Sequence, residues 1–321
     1  MRAQCPAPVS AIDVGTNTLR LLIGYVHEGK LLRIAQRRAI TRVGKNILKS
    51  GKLDNEGIEN SIRCLRSFKD TCNEYGSESI LSVGTSALRE AEDGAEFIKR
   101  VKESSGIEIK IISGDEEAEL TLKGIFGTNS IRQSMNSVSS FVIDIGGGST
   151  EYVKTYGSTN PLIKGSVPIG AVKYLDNFIA HDPPNDEEIA QIKEDIRREV
   201  MKSYSNTGIT PGLSLSPVLI ATGGTATTVA AMDLHMDEYD GDKIHGHKLS
   251  LQTLTFLLNG LLQMKLEQRR EVKGLDPERA DIIIPGVVIL ITLMEIIGAY
   301  EVIVSDYGLL EGIIIANSNT S

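Results

Sequence analysis

Alternating hydrophobic and polar positions open the chain and predict three consecutive strands. Their sequences are VSAIDVG, TLRLLIGYV and KLLRIAQRRAITRVG, each rich in Ile, Leu and Val, with Gly-containing turns between them. From Asp54 the apolar positions recur with the period of a helix that ends at Gly76. The stripe on that helix consists of Ile58, Ile62, Leu65, Phe68, Cys72 and Tyr75. The pattern therefore predicts a β-meander followed by an amphipathic helix.

A second copy of this order begins near residue 139. The segment SFVIDIGGGSTEYVKTYG has the outline of the opening: an apolar strand, Asp, an aliphatic residue, Gly, a small polar turn and a second strand. Further on, Asn185 and Glu188 resemble a capping box at the start of a helix, and two more helices are predicted at about 250–266 and 277–297. Residues 128–139 are polar and aperiodic, which indicates a domain boundary. We therefore expect an α/β fold with two related domains.

The composition is typical of a globular enzyme. The chain has 321 residues, of which 41% are hydrophobic and 24% charged, enough for two domains with large cores. The formal charge of −8 argues against broad nucleic-acid binding, so a polyanionic ligand would need a locally basic groove. Three cysteines without CxxC spacing disfavour both a disulfide framework and a zinc site.

Neither export nor membrane insertion is indicated. The N-terminal sequence lacks the apolar stretch of a secretory signal, and the most apolar window, 282–297, is interrupted by Pro285 and Gly286. We interpret that window as a buried helix. The expectation is a cytoplasmic protein with no membrane and no nucleic acid among its partners.

Two strands end in an aspartate followed by a glycine-containing turn. Asp13 stands in IDVGTNT and Asp144 in IDIGGGSTE. The three consecutive glycines of the second turn let backbone N–H groups converge on an anion, most simply a phosphate. They are Gly146, Gly147 and Gly148. Because carboxylate oxygens suit Mg²⁺, which also bridges phosphate oxygens, the predicted metal ligands are Asp13, Asp144 and Glu151. The structural alternative is an aspartate that only caps a turn.

Hydrolysis also needs a base that activates water, and three carboxylates at a predicted helix start are available for it. They are Glu116, Glu117 and Glu119. Adjacent helical residues point about 100° apart, so Glu116 and Glu117 cannot both face one site, and spacing alone leaves the choice open. Arg89, after the strand LSVG, and Arg20, on the strand after Asp13, are candidates for bidentate contacts to phosphate oxygens.

Two further segments carry candidate chemistry. ATGGTATTVA predicts a strand, a turn at Gly223 and Gly224, and a helix N-terminus, which is a further place for a phosphate or a nucleotide. His245 and His247 have a spacing that could bind a metal on a strand, but no Cys or third His lies nearby in the sequence. Zinc is therefore not expected.

In this order the motifs resemble the exopolyphosphatase and guanosine pentaphosphate phosphohydrolase family, usually called Ppx/GppA, of the actin, sugar-kinase and Hsp70 superfamily. The resemblance covers nearly the whole chain through AIDVGTNTLRLLI, GTSALREA, ISGDEEAEL, VIDIGGGSTEY, ATGGTATTVAA, IHGHKLS, GLDPERADIIIPGVVIL and VSDYGLLEG. It implies two actin-like, ribonuclease H-like domains of the β-β-β-α-β-α type with a cleft between them. Their expected bounds are 1–127, completed by a C-terminal helix at 306–321, and 128–305.

The resemblance also implies roles for individual residues. The second Glu of the SGxEEA segment, here Glu117, looks like the catalytic base, with Arg89 offsetting phosphate charge. Asp144 and Glu151 look like metal-binding or water-positioning groups. The implied phosphate cradle consists of Gly146, Gly147, Gly148 and Ser149. The implied opposite wall consists of Asp13, Thr16, Asn17, Arg20 and Arg89.

The implied activity is that of an exopolyphosphatase, which uses Mg²⁺ or Mn²⁺ to release orthophosphate from the end of inorganic polyphosphate. The alternatives are a pppGpp 5′-phosphohydrolase, a small-molecule kinase and a non-enzymatic nucleotide switch of the same fold. The resemblance is also compatible with a homodimer. Leu310 stands where the family usually has Arg, and the chain ends at Ser321. We therefore expect a short two-domain form that prefers shorter substrates.

Overall fold

Each half of the chain is built on one mixed β-sheet. The structure is a computed structural model that describes residues 6–127, 139–156, 160–207 and 218–318. The chain divides into unit 1, which is Met1–Arg132 with Tyr307–Ser321, and unit 2, which is Gln133–Asp306. The predicted boundary segment, 128–139, lies outside the described residues except for Ser139.

The strands of unit 1 come from the first third of the chain. They are β1 (Val9–Val14), β2 (Thr18–His27), β3 (Lys30–Ile40), β4 (Ser79–Gly84) and β5 (Ile109–Ile111). The helices are α1 (Ile47–Ser50), α2 (Asn55–Glu74), α3 (Ser86–Glu90), α4 (Gly94–Ser105), α5 (Gly114–Phe126) and the C-terminal helix α13 (Leu309–Ser318). The sheet order is β3-β2-β1-β4-β5, in which β1 lies antiparallel to β2 and parallel to β4.

Unit 2 has a larger sheet of the same kind. Its strands are β6 (Ser139–Ile145), β7 (Thr150–Tyr156), β8 (Asn160–Val167), β9 (Val218–Thr222), β10 (Lys248–Ser250) and β11 (Glu301–Val304). Its helices are α6 (Ala171–Phe178), α7 (Asp186–Thr207), α8 (Gly223–Asp233), α9 (Gly241–Ile244), α10 (Leu251–Leu261), α11 (Leu266–Arg269) and α12 (Ile283–Ile297). The sheet order is β10-β11-β9-β6-β7-β8.

The internal repeat predicted from the two aspartates is present in the strand pairing. Both sheets start with an antiparallel meander, β1-β2-β3 and β6-β7-β8, followed by a strand parallel to the first. The register places Asp13 opposite Arg20 and Asp144 opposite Glu151. The predicted α/β class with two copies of one topology is therefore confirmed, and unit 2 adds β10 as an antiparallel edge strand.

The sheet of unit 1 has helices on both faces, while most residues of its edge strand β3 are exposed or half-buried. One face packs on α2 and α4 in a cluster that includes Ile12 and Phe97. The other face packs on α5 and α13 in a cluster that includes Ala11, Leu22 and Leu310. Leu310, where the family resemblance suggests Arg, is 8% exposed and contributes to this core.

The core of unit 2 contains the most apolar helix of the chain. All α12 residues from Ile283 to Met294 are buried, which confirms the predicted buried helix at that window. The helices formed by the described residues include none that is long and apolar enough to cross a bilayer. Helix α7 starts as predicted, because Asn185 Oδ1 accepts a hydrogen bond from the Glu188 N–H at 2.9 Å and Glu188 Oε2 accepts one from the Asn185 N–H at 2.9 Å.

Several element bounds differ from the prediction where contacts distant in sequence decide them. The helix predicted at about 250–266 ends at Leu261, and α11 begins separately at Leu266. Asp182 holds the start of the second helix, because it accepts hydrogen bonds from the Leu266 N–H at 2.7 Å and from Arg269 Nη2 at 2.7 Å. The elements that the pattern did not predict are short or held by such contacts, namely α1, α3, α6, α9, β8 and β10.

Helices α5 and α13 approach each other closely enough to allow only glycine at the contact. A Cβ atom on Gly312 would collide with the Leu120 carbonyl, and one on Gly124 would collide with the Gly308 carbonyl. We predict that Gly312→Ala lowers the free energy of unfolding by about 1–3 kcal/mol, measured by urea denaturation, because the two backbones must separate. Gly260→Ala is the control, since nothing lies within 4 Å of a Cβ there. It should be neutral or stabilise by up to about 1 kcal/mol, and equal effects of the two variants would contradict the packing argument.

Candidate active site

In unit 1 the predicted site residues gather at one edge of the sheet. The parallel strands β1 and β4 end together, with Val14 opposite Gly84, and the Thr85 N–H donates to the Val14 carbonyl at 3.3 Å. At the end of β5, the Ile112 N–H donates to the Gly84 carbonyl at 3.1 Å. The carboxyl ends of parallel strands are where α/β sheets place their ligands. The predicted residues that follow these strands therefore share one edge.

Asp13 is buried at this edge and forms an ion pair. It is 3% exposed, and its Oδ2 accepts hydrogen bonds from Arg20 Nη2 at 2.7 Å and Arg20 Nε at 3.0 Å. Its other oxygen, Oδ1, is buried without a hydrogen-bond partner among the described residues. The carboxylate thus has its charge offset by Arg20 while one oxygen is still able to accept.

The loop after Asp13 is held through its carbonyl groups. The Thr16 carbonyl accepts from the Gly44 N–H at 2.9 Å, and the Asn17 carbonyl accepts from the N–H groups of Thr41 and Arg42, each at 3.0 Å. In a trans peptide the N–H points away from the C=O of the same unit. The Asn17 N–H, which shares its peptide with the Thr16 carbonyl, therefore points away from the segment that anchors the loop.

Of the three carboxylates at the start of α5, Glu117 is the buried one. It is 6% exposed, and its Oε2 accepts a hydrogen bond from Arg89 Nη1 at 2.7 Å. Arg89 Nη1 also donates to the Ile112 carbonyl at 3.0 Å, which ties the pair to the end of β5. Glu116 instead lies at the surface and binds Lys110 Nζ at 2.6 Å. The two neighbouring glutamates therefore point in different directions, as helical geometry requires.

In unit 2 the glycine loop between β6 and β7 has the same construction. The Gly146 N–H donates to the Ser149 carbonyl at 2.9 Å and closes the turn. The first N–H groups of α6 bind the loop carbonyls, with Ala171 N–H to Gly146 O at 3.0 Å and Val172 N–H to Gly147 O at 2.9 Å. The N–H groups of Gly147 and Gly148 belong to the same peptides and point the opposite way. Neither has an acceptor among the described residues. Such outward amides form an anion-binding concavity.

Two carboxylates flank this loop on one face of the sheet. Asp144 and Glu151 are directly opposite each other on β6 and β7 and are 7% and 2% exposed. Residues in such cross-strand pairs have their Cβ atoms about 4.5–5.5 Å apart. Glu151 Oε1 also accepts hydrogen bonds from the Ser149 and Ser166 hydroxyls, each at 2.7 Å. Ser149 therefore positions Glu151, a contact that the sequence did not predict.

The turn at Gly223 brings a helix N-terminus to the same edge. Thr222 at the end of β9 lies opposite Asp144 on β6, and α8 starts at Gly223 with no side-chain cap. Gly223 has a φ of +88°, and a Cβ there would collide with Asp144 Oδ1. The Arg279 guanidinium lies against Gly224. This arrangement places a helix N-terminus, a glycine loop and two carboxylates within unit 2.

The carboxylates and histidines of the described residues do not form a compact metal-binding cluster. Within the described part of the chain, no group of three or more His, Cys, Asp or Glu side chains has the arrangement of a metal site. His247 Nε2 lies 2.7 Å from Asp233 Oδ2, whereas His245 Nδ1 lies 3.4 Å from the Ser305 hydroxyl. The two histidines thus have separate partners.

Sequence reasoning missed two basic residues beside these loops. Lys173, 4% exposed in the first turn of α6, follows the N–H groups that bind the glycine loop. Arg279, beside Gly224, lies in the short 3₁₀ helix Pro277–Arg279. Lys173 could not be found because α6 itself was not predicted. Arg279 was visible only as part of the GLDPERADIIIPG segment, which gave it no role.

The family model of the Ppx/GppA phosphatase family matches residues 22–320. The chain belongs to the Ppx/GppA phosphatase family. The predicted family resemblance is therefore confirmed, and the protein is a hydrolase that acts on phosphorus-containing acid anhydrides. The motifs located above thus lie in a phosphatase rather than in an unrelated protein of similar topology.

Curated relatives match almost the whole chain. The bifunctional 3-dehydroquinate synthase/phosphatase of Fusobacterium nucleatum is 33% identical over 316 residues, which are 95% of this chain. The chain spans only 46% of the length of that relative. Exopolyphosphatase 2 of Mycobacterium tuberculosis is 28% identical over 320 residues, covering 95% of this chain and 97% of that protein.

A solved structure supports the fold. The crystal structure of the Aquifex aeolicus member of the Ppx/GppA protein family matches with a TM-score of 0.79, 29% identity and coverage of 98% of both chains. The prediction of two actin-like α/β domains is confirmed by this likeness.

The close contact between Gly223 and Asp144 gives a direct test of the unit 2 site. We predict that Gly223→Ala lowers the rate of phosphate release on the order of 100-fold, because its Cβ displaces the Asp144 carboxylate. The matched control is Gly298→Ala, which also has a positive φ, +76°, but has nothing within 4 Å of a Cβ. The control should lose about 1–2 kcal/mol of stability through backbone strain and keep its activity. Equal losses of activity in both variants would show that backbone strain, not the contact with Asp144, is responsible.

Proposed function

We propose that the protein is an exopolyphosphatase that hydrolyses the terminal phosphoanhydride bond of inorganic polyphosphate and releases orthophosphate. The observation that carries the proposal is the glycine loop of unit 2, whose outward amides at Gly147 and Gly148 lie next to Asp144 and Glu151. Backbone amides and helix N-termini bind phosphate oxygens whatever the rest of the substrate is. Similarity to the mycobacterial exopolyphosphatase over nearly its whole length supports the choice of substrate.

Glu117 is the general base in this proposal. Its carboxylate is buried, and the hydrogen bond from Arg89 to Oε2 restricts its orientation. Glu117 accepts a proton from water while the water oxygen forms a bond to the terminal phosphorus. The bond from that phosphorus to the bridging oxygen breaks, and the shortened polyphosphate keeps the bridging oxygen. The products are orthophosphate and a chain that is one phosphate shorter.

Arg89 and the amides of the glycine loop supply electrostatic stabilisation of the transferred phosphoryl group. Negative charge accumulates on the oxygens of the transferred phosphoryl group, and donors already positioned for it lower the barrier. Arg89 is oriented by two acceptors, Glu117 Oε2 and the Ile112 carbonyl. Each amide of the glycine loop is oriented by the bonded carbonyl of its own peptide. These donors therefore need little reorganisation during the reaction.

The carboxylates also fit a hard divalent cation. Mg²⁺ prefers oxygen ligands and is commonly bound through one or two carboxylates, with water and substrate phosphates completing the shell. Asp144 and Glu151 are such a pair, and the buried Oδ1 of Asp13 lacks a hydrogen-bond partner among the described residues. We propose these three residues as ligands of Mg²⁺ or Mn²⁺. When bound, such an ion supplies charge neutralisation at the phosphate oxygens.

Hydrolysis of pppGpp is the second candidate. It would use the same base and phosphate-binding groups, and it differs in requiring a site for the nucleoside. The uncapped N-terminus of α8 beside Arg279 is the feature that favours it, because a nucleotide phosphate fits such a helix end. A kinase would transfer the phosphoryl group to an acceptor other than water. A non-enzymatic nucleotide switch would bind its ligand without this transfer. The cytoplasmic location and the homodimer stay predictions.

The difference between two adjacent glutamates tests the proposed base. We predict that Glu117→Gln lowers kcat for phosphate release from long-chain polyphosphate and tripolyphosphate by about 10²- to 10⁴-fold, because the amide cannot accept the proton. Glu116→Gln removes the same charge from the neighbouring, surface-exposed position and should keep kcat near the wild-type value. Equal effects of the two substitutions would remove Glu117 from the role of base.

The same assay identifies the substrate and the metal requirement. Phosphate release should stop when a chelator removes divalent ions and return when Mg²⁺ is added. A higher kcat/KM for pppGpp than for polyphosphate would make the second candidate the function. Transfer to an added small-molecule acceptor, with no release into water, would indicate a kinase.

A further inference from the structure

Positive charge is concentrated in one stretch of unit 1. The whole protein has a formal charge of −8, yet residues 29–53 contain no Asp or Glu. The basic residues of this stretch are Lys30, Arg33, Arg37, Arg38, Arg42, Lys45, Lys49 and Lys52. A run of charge is most often a solvated surface. Its position in the fold gives this run a more specific meaning.

The basic stretch is hydrogen-bonded to the loop that follows Asp13. The N–H groups of Arg42 and Gly44 donate to the carbonyls of Asn17 and Thr16 at 3.0 and 2.9 Å, and Lys45 is the next residue. Arg42 has a φ of +56°, in the left-handed region that residues other than Gly rarely adopt. The chain therefore adopts an uncommon conformation where it places Arg42 and Lys45 beside the Asp13 loop, whose residues Thr16 and Asn17 the family resemblance assigns to one wall of the substrate site.

A row of side chains extends from Asp13 to the same stretch. Asp13 on β1 is opposite Arg20 on β2, and Arg20 is opposite Arg38 on β3, so all three project from one face of the sheet. Neighbouring strands lie about 4.8 Å apart, so the row extends about 10 Å from Asp13. Arg20 is already paired with Asp13 at 2.7 Å, so Arg38 is the residue that extends the row beyond this ion pair. Arg38 is exposed at the outer end of the row.

Other members of the stretch have different surroundings. Arg33 forms an ion pair with Glu311 at 2.8 Å and lies 3.6 Å over the Tyr307 ring. Near the end of the stretch, Asp93 Oδ1 accepts the Leu53 N–H at 3.0 Å, so acidic residues border it there. Arg38 is thus connected to the Asp13 loop by strand register and Arg42 by a backbone hydrogen bond, while Lys45 follows Gly44, which is hydrogen-bonded to the same loop.

We propose that Arg38, Arg42 and Lys45 form a binding track for the phosphates of a linear polyphosphate that follow the terminal one. This inference rests on the proposed exopolyphosphatase function and names where the uncleaved part of the substrate binds. A polyanion is the ligand that matches a run of cationic side chains which continues from a phosphate-binding loop. Longer chains reach more of the track, so the track makes KM depend on chain length.

The experiment compares two adjacent arginines on opposite faces of β3. Arg38→Gln should raise KM for long-chain polyphosphate about 5- to 10-fold, because it removes a charge-assisted contact. The increase for tripolyphosphate should be smaller, and the loss should fall on KM rather than kcat. Arg37→Gln is the matched control, since Arg37 is equally charged and exposed but lies opposite Leu21, on the other face of the sheet. Equal changes for Arg37→Gln and Arg38→Gln, or a loss carried by kcat, would overturn the proposal.

A binding measurement separates this inference from the proposed function. Long-chain polyphosphate is titrated calorimetrically into Glu117→Gln protein with and without the additional Arg38→Gln and Lys45→Gln substitutions. Weaker polyphosphate binding by the variants with the additional substitutions supports the track. This holds even if the wild type hydrolyses no polyphosphate, a result that would refute only the proposed function. Unchanged binding overturns the track even if hydrolysis is observed. Tighter binding of single-stranded RNA than of polyphosphate would identify a different polyanion as the ligand and also overturn it.

Discussion

In both hairpin loops, hydrogen bonds to the loop carbonyls fix the orientation of a few backbone amides, and the candidate site depends on this constraint. In unit 2, α6 binds the carbonyls of Gly146 and Gly147, and in unit 1 the turn after β3 binds those of Thr16 and Asn17. Because each peptide is planar and trans, fixing the carbonyl also fixes the N–H on the opposite side. The loops are therefore preorganised donors, and this arrangement favours a ligand with many negative oxygens.

The two units contain equivalent hairpins that carry different charges beside the aspartate. The aspartate that precedes the loop is opposite a strand residue, and this residue is Arg20 in unit 1 and Glu151 in unit 2. The first pairing offsets the charge of Asp13, whereas the second brings two carboxylates together at Asp144. Under the proposed function, unit 1 supplies Glu117, Arg89 and Asp13, while unit 2 supplies the glycine loop, Asp144 and Glu151. The exchange of Arg20 for Glu151 at equivalent hairpin positions therefore accounts for the different charge beside the two aspartates.

The sequence predicted what depends on local pattern and could not predict what depends on distant contacts. The repeated Asp and Gly turn, the buried helix α12 and the capping box of α7 each have a signature within a few residues, and all three are present in the structure. The choice between Glu116 and Glu117 has no such signature. It depends on which of them turns toward Arg89, a residue 28 positions away.

Lys173 and Arg279 could not be predicted from the sequence either, because their positions also depend on distant contacts. Both reach the candidate site through short elements, α6 and a 3₁₀ helix, whose formation depends on hydrogen bonds and packing with other parts of unit 2. The period of apolar residues over such short elements is too brief to predict them. Residues of this kind can be found only when the fold is known, because their proximity to Gly147 and Gly224 is a tertiary property.

The proposed mechanism depends on phosphate binding by backbone amides of the two hairpin loops. The most direct measurement is a titration of ¹⁵N-labelled protein with tripolyphosphate, followed by amide resonances in a relaxation-optimised NMR correlation spectrum. Phosphate binding by these loops should produce saturable chemical-shift changes centred on the amides of Asn17, Gly147 and Gly148. Shifts confined to surface lysines and arginines, with these three amides unchanged, would contradict it.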